Sequence, residues 1–250
     1  MTLIATERIK LFTTRSPWWS TLLALVLSVG FAALIAANIP HDQVFGIREA
    51  EGGYQFGLVV MMVMAALAVT TEYRFGTIKT TFQAVPNRIA LLLAKTTVVA
   101  VLSAVIGEIA AFASWAMAKA IHPTTALTLS GEAAWRNVAG MGLVYLITAI
   151  IAVAVAILVR QTAGAVAILL IYTLLVENLV QLIPKIGQDI QEWMPFTVAN
   201  HFLTAGSGPV PGGRGVDHMP LGPWPSLLYF AGIGVVLLTI AIVTANRRDA

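Results

Sequence analysis

The chain has no cysteine, and only 11% of its 250 residues are charged. The first absence removes any disulfide framework and any thiolate chemistry. The second removes an ordinary soluble domain, in which about 25% of residues carry charge. Nucleotide-binding chemistry is also missing, because no G-x-x-x-x-G-K-[ST] pattern occurs. The Gly206-Ser207-Gly208-Pro209 stretch lacks the lysine, the preceding strand and the following helix that would cradle a phosphate. No G-x-S-x-G or H-E-x-x-H occurs, and the four histidines (41, 122, 201 and 218) are loop residues without metal-ligand spacing.

What remains is apolar. Hydrophobic residues make up 58% of the chain and the mean hydropathy is +0.84, which identifies an all-α polytopic membrane protein. Six runs are long enough to cross a bilayer, for which about 20 residues suffice. They are Trp18 to Ile39, Tyr54 to about Thr71, Ile89 to Ile121, Trp135 to Leu158, Ala163 to Ile183 and Leu227 to Thr244. Before the first, residues 1–16 read as an interfacial helix, with Ile4, Ala5, Ile9, Leu11 and Phe12 on one arc and Glu7 and Lys10 opposite. Ser16 and Pro17 look like the N-cap and first position of the first span. That span exceeds the roughly 7 to 15 apolar residues of a secretory leader. Residues 17–250 form one six-span domain.

Six spans place both termini on one side of the membrane. Lys and Arg at 8, 10, 15, 74, 79, 88, 95, 160, 247 and 248 fall on that side, and those at 48, 119, 136, 185 and 214 fall opposite. Ten against five predicts cytosolic termini by the positive-inside rule. The net charge of +3 therefore reports topology and not a nucleic-acid partner. The longest non-spanning stretch, 184–225, is expected outside, with short helices in its first half and irregular Gly- and Pro-rich chain in its second.

The stretch from Thr70 to Lys95 is the main charged interruption. Glu72, Arg74, Lys79, Arg88 and Lys95 converge there on one face, and Gly76 and Pro86 bracket room for one short surface helix. The third run is longer than a bilayer needs, so its Lys95 end is expected to project into the cytosol. The pattern Glu72-x-x-x-Gly76-Thr77 followed by Pro86-x-Arg88, within the wording EYRFGTIKTT, resembles the first cytoplasmic loop of ABC-2-type exporter permeases, especially actinobacterial ones. The resemblance covers nearly the whole chain: N-terminal amphipathic segment, six spans, this loop between spans two and three, and a long outer segment between spans five and six.

The resemblance implies that the loop holds a coupling helix that contacts a separate ATP-binding-cassette ATPase subunit, with Glu72, Tyr73, Arg74, Gly76, Thr77 and Arg88 as coupling residues. It implies a second permease unit, the same or homologous, an exporter in the cell inner membrane surrounded by lipid, and a partly re-entrant outer segment. ATP and Mg would be bound by the partner and no cofactor by this chain, so the chain is not expected to be an enzyme. Glu108 and Glu177 lie at bilayer depth, where a charged carboxylate costs about 2.5 to 3.5 kcal/mol. Glu177 is expected to make a structural contact with Asn178, Gln181 or a neighbouring helix. Glu108, Met61 and Met64 are candidates for a substrate path, although Met clusters are ordinarily packing. A non-transporting scaffold has the same hydropathy and is the alternative. An intramembrane hydrolase fits less well, because Glu72-Tyr73 is not the Glu-Glu pair of prenyl-protein proteases.

Overall fold

The computed structural model describes residues 3–40, 45–84, 87–206 and 219–248. Pro86, His41, His218, Arg214 and the 207–218 part of the Gly- and Pro-rich stretch lie outside the described residues, as does the Lys79 side chain. Among the described residues all regular structure is helical. Helix α1 spans Leu3–Thr13, α2 Arg15–Asn38, α3 Ile47–Ala50, α4 Tyr54–Arg74, α5 Thr77–Ala84 and α6 Arg88–Ile121. They are followed by α7 (Gly131–Ala139), α8 (Met141–Val159), α9 (Thr162–Ile171), α10 (Glu177–Val180), α11 (Gly187–Gln191), α12 (Pro195–Thr204) and α13 (Pro223–Arg248). Six stretches are long and apolar enough to cross a membrane: α2, α4, α6, α8, the run Thr162–Val180, and α13 to Arg247.

Helix α8 is the centre of the bundle, packed against α4, α6, α9 and α13. It is the most apolar of the spans and the most buried, as expected of a helix that is hydrophobic on every face. Helices α2 and α13 bury little and turn Leu22, Val26, Leu34, Leu228 and Val235 outward. In a bilayer those side chains meet lipid. Close helix approach depends on small residues, and the core shows why around Tyr145. A Cβ added to Gly107 would lie 2.6 Å from the Tyr145 ring, and one added to Gly57 would lie 2.6 Å from its hydroxyl. The enclosed hydroxyl donates to the Tyr54 carbonyl at 2.8 Å.

Several element ends differ from the sequence expectation. The first span begins at Arg15, after Thr14 in an extended conformation, so Ser16 is not its cap and Pro17 lies inside the first turn. The fourth span breaks at Gly140 into α7 and α8. A Cβ at Gly140 would lie 2.7 Å from the Phe202 ring, so only glycine lets α12 approach at this point. In the fifth span, α9 and α10 are separated by a wider turn over Tyr172–Val176. Such insertions admit one extra residue per turn and bend the axis.

The outer segment is less irregular than its composition suggests. Helix α12 is held at both ends by side chains from other elements. At its start the Glu177 carboxylate accepts from the Phe196 and Thr197 amides, each at 2.9 Å, and from the Thr197 hydroxyl at 3.2 Å. At its end Arg136 donates to the Phe202 carbonyl at 2.7 Å and to that of Ala205, while Asn137 donates to Leu203 at 3.2 Å. These are the groups a helix leaves unpaired at its termini, and an acid at the N-terminus with a cation at the C-terminus also suits its dipole. Glu177 is thus a structural contact, and of the expected partners it takes the neighbouring helix, α12.

Candidate functional site

The short helix expected after span two exists as α5. Gly76, with φ of +70°, makes the turn that separates it from α4, and nothing lies within 4 Å of where a Cβ would be. Left-handed backbone, not crowding, is what calls for glycine there. At the far side Asn87 starts α6 with its side-chain oxygen accepting from the Ala90 amide at 3.0 Å.

Beneath this elbow lies a four-charge cluster that joins three elements. The Lys95 ammonium donates to Glu7 Oε2 at 2.6 Å and to Glu72 Oε1 at 2.7 Å. Lys10 reaches Glu7 Oε1 at 2.9 Å and Glu72 Oε1 at 3.6 Å. Two acids and two lysines make the cluster neutral. Glu7 and Lys95 are almost fully buried, with side chains 3% and 5% exposed, whereas Lys10 is 40% exposed at the rim. Burial pushes the Glu7 carboxyl up, but Lys95 and Lys10 outweigh it and hold the group below its ordinary value. Burial lowers Lys10, yet its hydrogen bond to Glu7 and the charge of Glu72 bring it out above its ordinary value.

Lys95 lies about two turns into α6, which begins at Arg88, and its side chain is buried within the protein. One expectation is corrected here. The face of α1 that turns inward is the one carrying Glu7 and Leu11, while Ile4, Ile9 and Phe12 are exposed. An acid assigned to the watery side of an amphipathic helix is instead the group that anchors it.

The cluster borders a cavity of about 500 Å³, walled by Met64, Leu67, Val98 and Val99 on its apolar side and by Thr77 and Thr81 of the elbow. Of the other coupling candidates, Tyr73 lies under the Arg160 guanidinium at 5.2 Å, so the inner turn between α8 and α9 touches the end of α4. Arg74 lies over the Phe75 ring at 5.7 Å, and the Thr77 hydroxyl donates weakly to the Glu72 carbonyl at 3.4 Å. Arg88 is half-buried at the first position of α6. Of the path candidates, Met61 is buried in the core and Met64 is buried at the cavity wall. Glu108 is separate from them, half-buried with its carboxyl bonded to the Gly142 backbone near the start of α8. No group of His, Asp or Glu among the described residues is arranged to hold a metal ion.

Sequence reasoning missed Glu7 and Glu72 as the partners of Lys95. The signals were present: Glu7 and Lys10 are three residues apart on a helix, and a lysine two turns inside an apolar span must find an acid. A search of curated proteins finds no significant match. Residues 3–176, which contain the whole cluster, the elbow and the first five spans through Val176, match the sequence model described as "ABC-2 family transporter protein". With six membrane-spanning helices in the arrangement described, the chain belongs to the ABC-2 transporter family and is a multi-pass membrane permease.

Proposed function

We propose that the chain is the permease subunit of an exporter in the cell inner membrane, with cytosolic termini, whose elbow receives the motion of an ATP-binding-cassette ATPase. The observation that carries this reading is the Lys95 clasp. Helix α5 is attached to the bundle through the end of α4, and Glu72 at that end holds Lys95 inside α6 at 2.7 Å. Lys95 in turn holds Glu7 of α1 at 2.6 Å. A displacement of the elbow is transmitted to α1 and α6 at once, because a nearly buried ion pair resists separation: exposing one partner alone costs about 3 to 5 kcal/mol. In this reading ATP and Mg are bound by the partner subunit. Its contribution is mechanical, a change of exposure of the path between two membrane faces.

In this reading Tyr73, Arg74, Gly76, Thr77 and Arg88 set the docking face and two permease units enclose the path. Met61, Met64 and Glu108 remain the candidates for contact with that path, and Glu108→Gln is expected to shift substrate preference or the pH dependence of transport. Because the chain has no cysteine, side-specific labelling tests the topology. Cys replacing Phe75 should react with an impermeant thiol reagent only from the cytosol, and Cys replacing Glu132 only from outside. Reaction of both from one side contradicts the reading. Docking is tested by cross-linking the Phe75→Cys variant to a co-expressed ATP-binding-cassette subunit that co-purifies with it. An adduct with that subunit is expected, and absence of one in an assembled complex contradicts the assignment.

A further inference from the structure

At the end of the bundle opposite the elbow, where α3, the start of α4, α7 and α12 meet, lies a second cavity, of about 240 Å³. It is polar, lined by Arg48, Glu51, Tyr54, Gln55, Asn137 and Asn200 among others. Part of its wall is fixed by the Tyr54 hydroxyl donating to the Asn200 side-chain oxygen at 2.9 Å, a bond between residues 146 positions apart. Two acceptors in the lining have no hydrogen-bond partner among the described residues: Glu51 Oε1 and Asn137 Oδ1. Their residues are only 3% and 1% exposed. A buried acceptor left without a donor is costly, more so when charged, so the cavity is built for something that donates.

The charge pattern narrows the donor. Glu51 is the buried acid of the cavity and Arg48 the cation, and the two are not within salt-bridge distance of each other. A simple cation would meet Arg48, and a simple anion would leave Glu51, whose burial favours the protonated form in the empty cavity, without the cation that ionises it. A solute carrying both charges satisfies both walls. The space matches about eight waters at roughly 30 Å³ each and falls below the roughly 300 to 1,000 Å³ of pockets for drug-sized ligands. We propose that this chamber binds a small zwitterion of the amino-acid type, its ammonium on the Glu51 carboxylate and the Asn137 side-chain oxygen and its carboxylate on the Arg48 guanidinium. The site is separate from the elbow and its cavity, and it does not depend on which face is cytosolic.

The test is calorimetric titration of the full chain in detergent with three probes: glycine, ethylamine for the ammonium alone, and acetate for the carboxylate alone. Glycine should bind saturably, with ethylamine and acetate at least tenfold weaker. Glu51→Gln and Arg48→Gln should each weaken glycine binding at least tenfold while gel filtration and helical circular dichroism stay unchanged. Should Glu51→Gln fail to fold, Arg48→Gln, at a half-exposed position, carries the test alone. The proposal is overturned by no saturable glycine binding at about 10 mM, well above the 1 mM that corresponds to about 4 kcal/mol. It is equally overturned by ethylamine or acetate binding as tightly as glycine, or by unchanged glycine binding in a folded Arg48→Gln variant.

Discussion

The two ends of this bundle both hold carboxylates that are buried or half-buried, and they satisfy them differently. At the elbow end, Glu7 and Glu72 are neutralised by side chains, above all by Lys95. At the opposite end, Glu177 is satisfied by backbone amides of α12, and Glu51 keeps one oxygen without a partner. A nearly buried side-chain ion pair ties elements that can move as units, because each side chain can rotate while the contact holds. A carboxylate seated on helix N–H groups fixes a rigid element in place and gains nothing from motion. The elbow end is therefore built as a joint, and the α12 end as a collar.

Removing the centre of the joint should do the most damage. Lys95→Met leaves the buried Glu7 and the half-buried Glu72 without the cation that joins them, and loss of one partner of a buried pair costs about 3 to 5 kcal/mol. The expected result is a lowered Tm together with release of α1, seen as proteolysis near Thr13 that the parent chain resists. An unchanged Tm would mean that the cluster is not a joint.

The collar should respond in a graded way. Glu177→Ala removes all three hydrogen bonds that start α12, and a lost cap costs about 0.5 to 2 kcal/mol. Glu177→Gln keeps an acceptor oxygen and should cost less than half as much. Thermal unfolding of the two variants checks the order, and equal losses would show that charge alone, not cap geometry, holds the helix.

Acid and base separate the two ends by sign. The Glu7 carboxyl is held below its ordinary value of 4.5, so its contribution is complete above that value and is lost as pH falls through the lowered one. Burial pushes Glu51 well above the same value, with the Trp115 backbone hydrogen bond offsetting only part. The folded state then keeps a proton that the unfolded chain releases, and stability falls as pH rises from 4.5 toward the raised value. Glu7→Gln should flatten the acid side of the stability profile, and Glu51→Gln the side above it. A profile that changes on the same side in both variants would erase the contrast.

The smallest effect is expected at the rim of the joint. Lys10 is 40% exposed and duplicates contacts that Lys95 makes from inside. Lys10→Ala should cost no more than about 1 kcal/mol, as exposed pairs do, and leave α1 docked. A loss as large as that of Lys95→Met would move the centre of the cluster to Lys10.

Much of this architecture was legible in the sequence, and the reasons are local. Six apolar runs become six spans because hydropathy over about 20 residues decides the matter alone. Gly76 marks the elbow because it permits positive φ. The partners of charged groups were not legible, since Lys95 meets a residue 88 positions away and Glu177 meets amides 19 and 20 positions on. Periodicity places Glu7 on the polar side of α1 but does not say whether that side faces water or a buried lysine. The break at Gly140 was missed for the same reason, because the ring that presses on it belongs to Phe202.

The central claim, that Lys95 transmits elbow movement into the bundle, is tested most directly by the distance between spin labels on Phe75→Cys and Val101→Cys, both at exposed positions. It is measured in the complex with the ATPase subunit, with and without ATP. The account predicts that ATP shifts this distance in the parent chain and that Lys95→Met abolishes the shift while the complex remains assembled. The same ATP-dependent shift in the Lys95→Met complex would contradict it.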